Sequence, residues 1–133
     1  MSPSDENLRT ISAGQHVRVG RLNKAKQFLQ AADDVRELAD DEGVSDAAVT
    51  LYIHAGVAAA DAICAAAIGK HAKGENHQQA IRLLETVDRD CAKHLKTLLN
   101  MKTRAGYGHD PVSRQDLTRA ARAAHSMVAK ASL

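Results

Sequence analysis

At 133 residues the chain fits one domain, and a domain of this size buries about two-thirds of its unfolded surface, enough for a real core. With no Trp, one Phe and two Tyr among many Ala, Leu and Val, the composition is poor in strand formers and rich in helix formers, so an all-α fold is expected. The formal charge of +2 hides a division: residues 1–92 hold 10 Lys+Arg against 14 Asp+Glu, and residues 93–133 hold 8 against 2, for net charges of −4 and +6.

Residues 1–15 lack apolar periodicity and read as a flexible tail, leaving 16–133 as a single helical domain. The first twenty residues carry acids where a secretory leader is apolar, so a cytoplasmic protein is expected. Val19, Leu22, Ala25, Leu29, Ala32, Val35 and Leu38 recur at helical steps and predict a first helix over 17–41. It ends in the acidic run DDVRELADDEG, with Gly43 as the stop. Solvation or a basic neighbour explains these acids better than a metal, because one helix end supplies too few convergent oxygens.

Ser45 is the expected cap of a second helix over 46–70, with Asp46 in its first turn. Its stretch GVAAADAICAAAIG is shorter than the roughly 20 residues of a membrane span and holds Asp61, so a core helix is expected. Gly56, Ala60 and Cys64, with Ala59, Ala66 and Ala67, form a face of small side chains for close helix approach, within the domain or across a dimer. Tyr52 and His54 are read as core or dimer seam. Asp61, a lone acid in an apolar helix, needs a partner, and a Lys or Arg of the last helix is expected. Cys64 and Cys91 lack CxxC spacing and read as reduced core thiols.

Gly74 breaks the chain, and Asn76-x-x-Gln79 is a capping box opening a third helix, where His77 reads as a first-turn surface residue. The stripe Ile81, Leu84, Val87, Cys91, Leu95, Leu98, Met101 then covers 77–104, read as two helices broken near Asp88. After a glycine-rich loop, Pro111 and Ser113 set up a last helix with Leu117, Ala120, Ala121, Ala124, Met127 and Val128 on its apolar face. Short connections make an up-and-down bundle of four to five helices the expected architecture.

The seven histidines give no His-x3-His and no HExxH, so no metal site is expected, and no cofactor motif is present. Neither a GxxxxGK[ST] loop nor a GxSxG elbow occurs. What remains is the segment NMKTRAGYGHDP with Arg104 and His109. A guanidinium grips phosphate oxygens and an imidazole moves protons near neutral pH, so the two are sufficient parts for metal-free RNA cleavage. The basic C-terminal third is consistent with a polyanion partner, or with a solvated face that has none.

Three features together resemble the HEPN superfamily of small helical bundles: AAAIGKHAKGENHQQAIRLLETV, the Arg104-x4-His109 spacing in LLNMKTRAGYGHDPVS, and the closing amphipathic helix. The resemblance covers roughly residues 20–130. It implies a homodimer whose motifs line a shared basic cleft, and a metal-independent endoribonuclease of toxin or defence type, held in check by a partner such as a nucleotidyltransferase-like antitoxin. In that reading Arg104 holds phosphate, His109 is base or acid, Lys102 and Arg114 contact the RNA backbone, and Tyr107 stacks on a base. The chain departs from active members at Ala105, which follows the arginine where they carry a polar residue, and at Pro111, where a common variant has Tyr. The pattern K-x-x-A-G-Y-G-x-x-P-V-S is similar instead to subgroups without the catalytic pair. A non-catalytic module binding RNA, a nucleotide or a protein through the basic face is therefore the first expectation, and the endoribonuclease the second.

Overall fold

The computed structural model describes residues 9–38, 44–74 and 76–133. In chain order its elements are β1 (Thr10–Ser12), α1 (Gln15–Leu38), α2 (Ser45–Ile68), β2 (Lys70–Ala72), α3 (His77–Glu85), α4 (Arg89–Asn100), α5 (Lys102–Tyr107) and α6 (Arg114–Ala131). The chain is predominantly helical, as its composition indicates, with a two-stranded sheet added.

The alanine-rich α2 is the axis of the bundle. All five other helices and β2 pack on it, and its middle turns are buried on every side. A helix apolar all round is either a core helix or a membrane span. By length and composition alone α2 would serve as a span, but most of it is enclosed by the rest of the chain. Small side chains make that enclosure possible. A Cβ on Gly56 would collide with Leu98 Cδ1 of α4 and lie 3.4 Å from Met127 Sδ of α6. The close approach at Gly56 is thus made within the chain, whereas Ala66 and Ala67, read as part of the same small face, are exposed. Gly69 ends the helix in the left-handed region at φ 68°, its N–H donating to Ala65 O.

α1 lies antiparallel along α2, and three cross-links record the register. Arg21 meets Asp61, Phe28 stacks on His54 with ring centroids 5.2 Å apart, and Tyr52 Oη donates to Asp33 Oδ1 at 2.6 Å. Asp61 therefore finds its cation on the first helix, not on the last as the sequence suggested. Arg21 Nη2 is 2.9 Å from Asp61 Oδ2, and His71 Nδ1 is 3.8 Å from Oδ1. The reason is geometric: Asp61 lies near the end of α2, where an antiparallel hairpin places the start of α1. His54 is exposed and rests on Phe28, so it is not part of the core.

Tyr52 is fully buried, and Asp33 also accepts from His125 Nε2 at 3.0 Å, so one carboxylate ties α1 to α2 and α6. Burial, reinforced by the adjacent Asp33 charge, pushes the Tyr52 hydroxyl up to about 12, so it remains a donor at any physiological pH. Tyr52→Phe keeps the ring and removes this bond to a charged acceptor. It should cost about 1.5 kcal/mol, read by urea denaturation with the slope unchanged.

The ends of the helices follow local chemistry with some exceptions. Asn76 accepts from Gln79 N at 3.2 Å, Asp88 from Cys91 N at 3.0 Å, and Ser113 from Asp116 N at 3.0 Å. The Asp88 cap is the expected break between α3 and α4, and Lys130 Nζ lies 3.5 Å from its other oxygen. Ser45, however, is the first helical residue rather than a cap, and Val44 before it supplies no side-chain bond. Asp46 also turns away from its own helix end, accepting from Val112 N at 2.9 Å. The acids Asp40, Asp41 and Glu42 and the expected stop at Gly43 lie outside the described residues.

Two further differences concern segments read as irregular. Within the stretch expected as a tail, Thr10, Ile11 and Ser12 pair antiparallel with Ala72, His71 and Lys70. Bonds from Ala13 N to Gly69 O and from Lys73 N to Arg9 O, both 2.9 Å, extend the ladder. A three-residue strand whose partner lies beyond two helices leaves no periodic signal. The helical stripe also does not simply end at Arg104: Met101 interrupts it, and Lys102–Tyr107 forms α5, whose Ala105 packs against the core. Packing on α2 overrides the poor helix propensity of Gly106.

Candidate nucleic-acid interface

Four of the eight basic residues of 93–133 line one open groove of about 580 Å³. α4 turns Cys91, Leu95 and Leu98 into the core, so its opposite stripe, Lys93, Lys96, Thr97 and Asn100, faces outward along one wall. Arg104 of α5 stands at the end of that wall, and Asp116 and Arg119 of α6 form the facing side. Met101 and Val112, 7% and 3% exposed, supply an apolar floor.

Four cations therefore line the groove against one carboxylate. Arg119 Nη1 lies 3.6 Å from Asp116 Oδ1, an exposed pair that contributes little and leaves both groups available to a ligand. Lys93, Lys96 and Arg104 have no ion pair among the described residues. Such a surface carries an uncompensated positive potential, and it is concave.

The segment from α5 to α6 is held at both ends. Gly108 N donates to Thr103 O at 2.9 Å, Val112 N donates to Asp46, and Ser113 caps α6. A Cβ on Gly108 would stand 3.1 Å from Arg104 O and 3.2 Å from Arg104 Cα, so the chain turns there only by passing close to the backbone that carries Arg104. Gly106 has open space around it and helical geometry. The two glycines should respond oppositely in thermal melts. Gly106→Ala is expected to stabilise by about 0.5–1 kcal/mol, and Gly108→Ala to destabilise by about 1 kcal/mol.

The residues singled out from the sequence are placed as follows. Arg104 lines the groove. His109 is exposed on the following loop and is not part of the groove wall. Neither makes a side-chain hydrogen bond or ion pair among the described residues, and they are not joined to one another. Lys102 turns to the other side, its Nζ donating to His77 Nε2 at 2.8 Å. Tyr107, 80% exposed, ends α5, and Arg114 opens α6 with its side chain in solvent; neither lines the groove. Lys93, Lys96, Thr97, Asn100 and Arg119 were not singled out from the sequence. The signal for the four on α4 is the spacing 93, 96, 97, 100, a polar helical stripe complementary to the apolar one, and Arg119 lies off the apolar face of the last helix.

Burial pushes the Cys64 thiol up to about 12 and the Cys91 thiol up to about 11, with Asp61 and Asp88 adding to the shift, so both are unreactive core thiols. Among the described residues no three His, Cys, Asp or Glu side chains converge as a metal site would require. No protein-family model matches the sequence, and no curated protein matches it significantly.

Proposed function

We propose that this chain is a HEPN-like helical module that binds single-stranded RNA through its phosphate backbone, in the groove between α4 and α6, without cutting it. The observation that supports this most is the convergence of Lys93, Lys96, Arg104 and Arg119, from three helices, on one concave surface with a single acid. Phosphates displace water and counterions from such a surface, and the affinity carries the salt dependence of counterion release. The open shape suits a flexible strand, whose phosphate oxygens find a hydrogen-bond donor in Asn100, while Thr97, whose hydroxyl donates to Lys93 O at 3.0 Å, can accept from a ribose hydroxyl.

The alternative, metal-independent cleavage, draws on Arg104 as the phosphate-holding cation and His109 as the base. It requires an imidazole beside the phosphate that Arg104 grips; His109 of the same chain stands outside the groove, so this reading needs a second copy of the chain to supply the imidazole across a homodimer, whereas binding needs none. Binding is therefore the favoured reading. The test uses a mixed single-stranded RNA in EDTA, with fluorescence anisotropy for binding and a gel for cleavage. Binding is expected with a log–log salt slope of about −3, from roughly 0.7 per phosphate over four cations, and the RNA should stay intact. Cleavage by wild type that Arg104→Ala and His109→Ala both lose would favour the nuclease, and no binding at low salt would end both readings.

A further inference from the structure

We infer that Asp116 reads a guanine base, so that the groove prefers a guanosine within a single strand; this rests on the phosphate-groove reading above. Asp116 is a first-turn acid of α6, which the helix N-terminus favours, and it also faces a groove otherwise suited to anions. Against a phosphate chain alone, Asp116 is counterproductive, because it lowers the potential at the wall that Arg119 shares.

The geometry gives that carboxylate a use. Its side chain is 23% exposed, it faces the groove, and its only described partner is Arg119 at 3.6 Å, beyond good hydrogen-bond distance. Its backbone N–H is committed to the Ser113 cap, but its oxygens retain lone pairs for a ligand. Next to it, Met101 and Val112 form an apolar floor on which the face of a base can lie. Lys93 and Lys96, one turn apart on α4, line the same groove and supply cations for flanking phosphates. The groove, at about 580 Å³, has room for a nucleotide and its neighbouring phosphates.

Among the four RNA bases, guanine alone presents two adjacent N–H donors, N1–H and the N2 amino group, on its Watson–Crick edge. A carboxylate accepts both at once, one on each oxygen. Adenine and cytosine place a ring acceptor beside their amino donor, and uracil flanks its N–H with two carbonyls, so each of these sets an oxygen or nitrogen lone pair against the carboxylate. Base edges that are unstacked in single strands are read in this way, by hydrogen bonds together with stacking. Arg119 can share the outer lone pairs of Asp116 without displacing the base, since an ionised carboxylate accepts about four hydrogen bonds.

The test is anisotropy with labelled ten-residue oligouridines carrying one central guanosine, inosine, adenosine or cytidine, and the full chain. Guanosine should bind about tenfold more tightly than adenosine or cytidine, with inosine, which lacks the N2 amino group, in between. In Asp116→Asn the guanosine advantage should vanish, while an all-uridine oligomer binds more tightly than to wild type because a negative charge has left the groove. Equal affinity for all four oligomers would overturn the base reading and leave the phosphate reading standing. Failure of every oligomer to bind would overturn both. A guanosine preference that survives Asp116→Asn unchanged would also overturn the assignment, since the reading group would then lie elsewhere.

Discussion

Reversing two groove charges, Lys96→Glu with Arg104→Glu, is expected to weaken binding of a single-stranded RNA about a hundredfold or more at roughly 100 mM salt. Each substitution removes a phosphate contact and replaces attraction with repulsion inside a concave surface. The log–log salt slope should also fall by about 1.4, roughly 0.7 for each lost contact with a single strand. The control is Lys24→Glu with Lys26→Glu, which changes the net charge by the same amount on the exposed side of α1. This second pair should reduce affinity only slightly, because screening confines a surface charge to about 10 Å at this salt. Equal losses from both pairs, measured by anisotropy, would mean that general charge rather than the groove holds the RNA. Both pairs replace exposed residues, so their melting curves should stay close to wild type.

The second large effect is on stability. Arg21→Met should cost about 2 kcal/mol at pH 7.5, because it leaves the Asp61 carboxylate against the apolar body of α2 without its main cation. This is below the cost of breaking a fully buried pair, since the side chains of Arg21 and Asp61 are 30% and 17% exposed. Asp61→Leu should cost less, because Arg21 can turn its head group into solvent while the carboxylate on α2 cannot. The double variant should recover most of the Arg21→Met loss.

The same pair fixes a pH dependence. Burial pushes the Asp61 carboxyl above the usual carboxylate range, against the opposing pull of Arg21 and His71. An acid whose folded value is raised binds more protons in the folded than in the unfolded state. Its charge therefore destabilises the fold as pH rises through that value, and the penalty fades below it. Without Arg21 the raise is larger, so the deficit of Arg21→Met relative to wild type should shrink between pH 7.5 and pH 5. Urea titrations at the two values check this, and a constant deficit would show that Arg21 acts by packing alone.

The parts of the fold legible in the sequence are those written in periodicity and local capping. The stripe along α1, the all-apolar α2, the Asn76 and Ser113 caps and the break at Asp88 all rest on residues within one or two turns of one another. What was not legible depends on residues far apart in the chain. Arg21 reaches Asp61 because two helices run antiparallel, and Thr10–Ser12 becomes a strand only because Lys70–Ala72 is there to pair with it. Asp46 looks like a first-turn acid but is recruited to the Val112 N–H, and α5 forms over a glycine because α2 offers Ala105 a surface. The site shows the same division. Arg104 drew notice through its spacing from His109, yet in the structure its neighbours are the lysines of α4 and the start of α6. Charge asymmetry indicated that the C-terminal third is basic; only the packing of α4 on α6 shows which of those cations share a surface.

The proposed RNA site lies between α4 and α6. The most direct measurement is the amide chemical-shift change in the isotopically labelled protein as an oligouridine is titrated in. The account predicts that the largest changes fall on Lys93, Lys96, Thr97, Asn100, Arg104 and Val112, with α1 and the β1–β2 ladder unmoved. Changes centred on His71 and Lys102, or no saturable change at low salt, would contradict it.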